Sequence, residues 1–299
     1  MKILIVGGTG HVGAFLSQIM KERGHEVVIA SRGKTGSVDG YRSVILDSRD
    51  MDSLAKLRSE NFDTVAVFPG TEYLVYQALA ESVNHFIACG SLWMLGIPNV
   101  VPTPAITQGE CLVDAGYKRR YENILKMLGE DKCKVTAIFP PNICGPGKIP
   151  LDGLGGRSLD VHKAHMRGEK VYLPDGPQNL IAPCDAYDIA MMFALAAEQP
   201  DKAAGQIFNV GAANSLTSSE FIRLYGKIYN SNIPIEYVSW EKYKNEISPG
   251  IGYWWHFYSH MCPDISKGEK LLGYKPKYSC EESVERAVKW MFDNNLLQK

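Results

Sequence analysis

The chain has 299 residues, 45% hydrophobic and 22% charged, with 32 Lys plus Arg against 33 Asp plus Glu. These are ordinary globular values, which exclude disordered, collagen-like and coiled-coil chains, and the length suits about two domains. A formal net charge of −1 removes the electrostatic footprint of a duplex-DNA binder, so no nucleic-acid partner is expected. Seven cysteines, an odd number with no C-x-x-C pair, argue against a disulfide framework or a zinc ribbon. The N-terminal apolar run is too short for a secretory signal, and no apolar run approaches a membrane span. A cytoplasmic location with no membrane partner is therefore expected.

Short Val/Ile-rich runs at 3–6, 27–30, 44–46, 64–68, 86–89 and 135–139 read as strands. They show little alternation, as expected when helices cover both faces of a sheet. Helical patterns fall between them near 11–22, 50–59, 72–84 and 107–130. This repetition predicts an α/β fold, a doubly wound parallel Rossmann sheet with right-handed crossovers. The proline- and glycine-rich passage 140–157 reads as a crossover into a smaller C-terminal α/β substrate lobe. Beyond it the patterns give a helix near 158–167, a strand at 170–173, a helix from Asp185 or Asp188 to Glu198, and a strand at 206–210. A helix over 217–229 opens with Thr217 and Glu220 at capping-box spacing; then come a strand at 235–238, an aromatic stretch at 253–260 and a closing helix over 280–294. The expected division is a dinucleotide-binding domain over 1–150, with 180–212 returning to its sheet, and a lobe made of 151–179 and 213–299.

Gly7, Gly8, Thr9, Gly10, His11, Val12 and Gly13 follow the first strand and open a helix, with glycines spaced G-x-x-G-x-x-G. Gly7 permits a tight turn, Gly10 lets backbone N–H groups reach a pyrophosphate, and Gly13 lets the helix pack closely. The helix N-terminus adds partial positive charge. The tip of the second strand selects the dinucleotide. A NAD site places an acid there, whereas this chain carries Ser31, Arg32 and Lys34. A guanidinium beside a hydroxyl suits a 2′-phosphate, so NADP is expected in preference to NAD. Asp47, ending the third strand, is placed to accept from the adenine amino group, or else serves as a turn or cap residue. Pro69, Gly70, Pro140 and Asn142, after the fourth and sixth strands, are the remaining cofactor-side candidates. No metal site is expected: His162/His165 and His256/His260 lack a third ligand, and no H-E-x-x-H is present.

These residues resemble the extended short-chain dehydrogenase/reductase superfamily, in its NAD(P)-dependent epimerase/dehydratase branch. Besides the glycine turn, C-G-S-L-W-M-L-G at 89–96 is similar to the family's S-S-x-x-V-Y-G, and F-P-P-N-I-C-G-P-G at 139–147 to its R-P-x-x-V-Y-G-P-G. D-I-A at 188–190 and K-L-L-G-Y-K-P at 270–276 match its D-V-A and K-x-L-G-Y-x-P. The resemblance implies hydride transfer on a sugar-like or nucleotide-sugar carbonyl or alcohol. It gives Ser91 the role of orienting the reacting oxygen and Tyr117 that of acid/base, and it suggests a homodimer through the helices near 72–84 and 107–130. The aromatic run Tyr253 to Tyr258 is the candidate sugar-facing wall.

One position departs. Where the family's Y-x-x-x-K has lysine, the run Tyr117-Lys118-Arg119-Arg120-Tyr121 ends in tyrosine. Tyr121 shares the helical face of Tyr117 and is carried as a third catalytic candidate. Three readings stay open: another cation enters the site, with Lys148 or Arg157 as candidates; the reaction needs only a neutral tyrosine; or the chain is a non-catalytic NADP(H)-binding regulator. Lys118, Arg119 and Arg120 read as a solvated helix face.

Overall fold

The computed structural model describes residues 1–33, 40–111, 113–176, 178–249 and 254–298. Six strands, β1 (Lys2–Val6), β2 (Glu26–Ser31), β3 (Arg42–Ile45), β4 (Thr64–Val67), β5 (His85–Cys89) and β6 (Lys134–Phe139), join Gln206–Asn209 in one parallel sheet. The order is Gln206–Asn209, β6, β5, β4, β1, β2, β3. It reverses between β4 and β1, and such a switch point opens a ligand crevice at the strands' C-terminal ends. Ile3, Leu4 and Ile5 are fully buried, as expected for strands covered on both faces.

Helices α1 (His11–Glu22), α2 (Met51–Ala55), α3 (Glu72–Leu79), α4 (Ala115–Gly129), α5 (Leu159–Met166) and α6 (Ala186–Glu198) follow in chain order. One core packs α3 and α4 on the sheet through Val75, Leu79, Ile124 and Met127. The other packs α1 and α6 through Leu16, Met20, Ile189 and Phe193. Ile265, Leu272 and Tyr274, from the stretch expected in the lobe, join this second core. The lobe has its own core, in which Phe221 and Tyr225 of the helix Ser218–Tyr229 meet Val284 and Met291 of the helix Cys280–Asp293. That last helix begins with a complete capping box, Ser279 with Glu282.

The helix predicted over 107–130 begins only at Ala115. Asp114 takes extended backbone and accepts from the Tyr117 N–H at 2.9 Å, a cap that fixes the start. Among the described residues no helix is long and apolar enough to cross a membrane.

His85 on β5 is buried, and its Nε2–H donates to Thr136 Oγ1 at 2.8 Å while Nδ1 has no partner. Burial lowers its pKa from 6.5 to about 4. Within that window the unfolded chain binds the extra proton, so stability falls as the solution is acidified, at about 1.4 kcal/mol per pH unit for one such group. His165, lowered to about 3 by burial, acts in the same direction. Thermal unfolding should therefore shift to lower temperature between pH 7 and pH 5, and His85→Gln should flatten that slope. A transition independent of pH over this range would contradict the assignment.

Candidate active site

The glycine turn leaves β1 with Gly7 at φ 86°, and the Gly7 N–H donates to Ala30 O of β2 at 2.9 Å. A Cβ on Gly13 would lie 2.2 Å from the Gly7 carbonyl oxygen. The close packing of α1 on the turn thus depends on glycine, as a dinucleotide cradle requires. Gly10 caps α1 without a side-chain hydrogen bond, so the first N–H groups of the helix are left for an anion. Val12 and Gly13 are buried behind the turn.

A cavity of about 500 Å³ runs from this turn across the ends of β1, β2, β3 and β4. Its walls include Gly7, Thr9, Gly10, Ser31, Arg32, Asp47, Pro69 and Gly70. Arg49 forks onto Asp47 through Nε at 3.0 Å and Nη2 at 2.6 Å. These bonds hold the carboxyl at about 2, so it is charged at neutral pH. Ser31 Oγ accepts from the Gly33 N–H at 3.3 Å. Gly8 and Val12 are not among the lining residues, and Lys34 lies outside the described residues.

A second cavity, of about 250 Å³, continues from Pro69 and is walled by His11, Ser91, Trp93, Tyr117, Arg120, Pro140, Asn142, Lys148 and Arg157. A third, of about 350 Å³, shares Trp93, Tyr117, Arg157 and His256 with it and extends toward the lobe past Trp255. The three cavities thus adjoin along a crevice, the first two at Pro69 and the last two at Trp93, Tyr117, Arg157 and His256. Ser91 Oγ accepts from the Trp93 N–H at 3.3 Å, which leaves its own proton to donate. Burial pushes the Tyr117 phenol up, with Arg120 opposing that shift. Asn142 is committed to structure: its Nδ2 lies 2.9 Å from His256 Nδ1 and its Oδ1 accepts from the Ala182 N–H at 3.1 Å. Burial lowers the His256 and His11 imidazoles, to about 3 and about 4. His11 Nε2 is 2.8 Å from Pro146 O.

Tyr121 does not line the crevice. Its hydroxyl lies 2.5 Å from Thr107 Oγ1 and its ring packs edge-on to Phe139. Arg120, grouped from sequence with a solvated face, instead turns inward and binds Glu72. The i+4 expectation concealed it, because a residue at i+3 also flanks Tyr117. Asp152 was likewise missed. It is buried and accepts from the N–H groups of Leu154, Gly156 and Ser158 at 2.8, 3.0 and 2.8 Å. That clamp presents Arg157 to the crevice, with its guanidinium bonded to the Ile143 and Ile149 carbonyls. The signal was D-x-x-x-G, one acid inside a glycine-rich loop.

From the aromatic run, Trp255 and His256 reach the crevice, Phe257 is buried in the lobe core, and Tyr253 lies outside the described residues. His162 and His165 are buried against Pro150 O and the Gly153 N–H. Cys89 and Cys144 are buried, which pushes both thiols up, Cys144 to about 12. Neither is a nucleophile at neutral pH.

Fold and crevice define a Rossmann-type α/β protein with a glycine-rich turn at one end of its crevice. Residues 3–89 match the NAD dependent epimerase/dehydratase family. A UDP-N-acetyl-alpha-D-glucosaminuronate decarboxylase of Bacillus cytotoxicus is 24% identical, over 97% of each chain. The chloroplast stem-loop binding protein of 41 kDa b of Arabidopsis thaliana is also 24% identical, over 100% of this chain and 81% of its own. UDP-glucose-4-epimerase of Stenotrophomonas maltophila, solved with NAD and formylated UDP-arabinopyranose, superposes with a TM-score of 0.77 at 16% identity, over 99% of each chain. The solved structures share the fold of this chain over nearly its whole length.

The expectation of NADP is overturned by these neighbours, since those solved with a dinucleotide hold NAD. The β2 tip misled for a physical reason. Arg32 does line the cavity, and so do Asp47 and the Arg49 that forks onto it. A guanidinium such as Arg32 also stacks on a flat ring without needing a phosphate.

Proposed function

We propose that the chain is an NAD-dependent enzyme of the epimerase/dehydratase type acting on a nucleotide sugar by hydride transfer. The observation that carries this reading is the row of adjoining cavities that runs from the glycine turn past Pro69 to Ser91 and Tyr117. NAD, when bound, supplies the hydride acceptor and donor. The turn at 7–13 and the N-terminus of α1 would hold its pyrophosphate, Asp47 and Arg32 its adenosine end, and Pro69 and Gly70 one wall. Ser91 would donate to the reacting oxygen. Tyr117 would accept the proton of the substrate hydroxyl as hydride leaves for NAD and return it to the carbonyl oxygen when hydride comes back; burial opposes the phenolate this requires and Arg120 favours it. Trp93 and Trp255 offer flat faces to a sugar ring. A cytoplasmic location and a homodimer through α3 and α4 belong to the same reading. The exposed Leu125 on α4 supports the interface.

The first test is binding. NAD should bind at least tenfold more tightly than NADP, about 1.4 kcal/mol, and Asp47→Ala should narrow the gap. Equal affinities in the unaltered protein would overturn the NAD assignment. Turnover is then tested with NAD and a panel of UDP-sugars and UDP-uronates, followed by product analysis. A second reading, binding without turnover, is favoured by Tyr121 at the lysine position and by the stem-loop binding protein among the relatives. NAD binding with no product from any panel member supports that second reading.

A further inference from the structure

We propose that Arg120 is the positioning cation of this site, standing in for the family's lysine from one residue earlier on α4: it holds the Tyr117 ring and stabilises charge on the phenolic oxygen, with Glu72 as its anchor. The proposal rests on the reading of Tyr117 as the proton-handling group.

Helix geometry allows the exchange. A step of three residues turns about 300°, so Arg120 flanks Tyr117 on one side, while Tyr121, four residues on, flanks it on the other at about 40°. The structure fills these positions differently. Tyr121 goes to Thr107, and Arg120 goes to Tyr117, with its guanidinium carbon 5.6 Å from the ring centre. Arg120 Nη2 donates to Glu72 Oε1 at 2.6 Å and to the Cys89 carbonyl at 3.2 Å. Cys89 ends β5, the strand that leads to Ser91, so one guanidinium ties the acid/base helix to the strand delivering the oxygen-orienting hydroxyl. Glu72 is itself buried and its other oxygen accepts from the Gly70 N–H at 2.9 Å. A buried carboxylate with both oxygens engaged fixes the cation it binds. Arg120 lines the crevice, and its Nε is buried with no hydrogen-bond partner.

The surroundings single out Arg120. Burial opposes the Tyr117 phenolate, Arg120 favours it, and Asp114, Cys111 and Cys89 oppose it. His11, Lys148, Arg157 and His256 face the same crevice from the glycine turn and the lobe. His11 and His256 are held neutral by burial, so of these four only Lys148 and Arg157 carry charge there. An arginine does not deprotonate, so this cation tunes and positions Tyr117 without relaying its proton.

The test uses two substitutions whose electrostatic effects have opposite signs. Protein carrying 3-fluorotyrosine is titrated by fluorine NMR, with the Tyr117 resonance assigned by its loss in Tyr117→Phe. Arg120→Met should raise the Tyr117 pKa by about one unit or more, and Arg120→Lys should restore most of it. Glu72→Gln should lower it, because the guanidinium is no longer neutralised. A structural clamp predicts that both substitutions loosen the site alike. A Tyr117 titration unmoved by Arg120→Met, or moved in the same direction by Glu72→Gln, overturns the proposal. If Arg120→Met does not fold, Glu72→Gln decides alone, since an unchanged or raised pKa refutes the role. The titration needs no turnover, so failure of this proposal and failure of the enzymatic reading are read by separate measurements.

Discussion

Tyr117→Phe is expected to lower kcat/KM by about 10²–10⁴-fold, the usual span for a side chain that transfers a proton in the rate-limiting step, while NAD affinity is unchanged. The substitution removes one oxygen and keeps the ring. Among the described residues that oxygen makes no hydrogen bond, and the N–H that Asp114 caps belongs to the backbone, so the start of α4 and the packing against Arg120 survive. The effect then reports chemistry rather than folding. Its form also discriminates. Loss in kcat with KM preserved identifies an interaction made only in the transition state. Loss confined to KM would make the phenol a substrate contact and move the acid/base role elsewhere. Full retention of both constants would remove Tyr117 from the mechanism.

The sheet was legible because its strands are apolar without alternation, a pattern that only double coverage by helices explains, and the glycine turn because it sits directly after β1. What escaped was set by contacts distant in the chain. Arg120 reads as solvated until Glu72, 48 residues away, is seen to draw it inward. Tyr121 reads as catalytic until Thr107 takes its hydroxyl. The dinucleotide preference failed because Ser31 closes β2 and Arg32 follows it, and a guanidinium there serves a flat ring as readily as a phosphate, two uses that no local pattern tells apart. The start of α4 was misplaced because apolar periodicity continues upstream of a cap that only its hydrogen bond reveals. Local chemistry thus located the cradle, while the identity of the groups aimed into it depended on tertiary pairing.

Gly13→Ala should show how far that cradle depends on one missing methyl group. The added Cβ would lie 2.2 Å from the Gly7 carbonyl oxygen and 2.8 Å from Gly8 Cα. Both are backbone atoms of the phosphate turn, so no rotamer change relieves the clash. Either α1 withdraws from the sheet or the turn moves, and overpacking of this kind costs about 1–3 kcal/mol, occasionally more. If the turn moves, its N–H groups no longer converge on one anion, and NAD affinity should fall at least tenfold, about 1.4 kcal/mol. Gly10→Ala is the control. Gly10 has ordinary negative φ, and its Cβ would meet only the Gly7 carbonyl, at 3.1 Å. It should therefore cost less stability while still obstructing the approach of a pyrophosphate to the N-terminus of α1. The expected pattern is a loss of both thermal stability and NAD binding in Gly13→Ala, and a loss mainly of NAD binding in Gly10→Ala. Calorimetry with a parallel binding titration separates the two. Normal NAD binding by a folded Gly13→Ala protein would mean that the pyrophosphate does not lie on this turn.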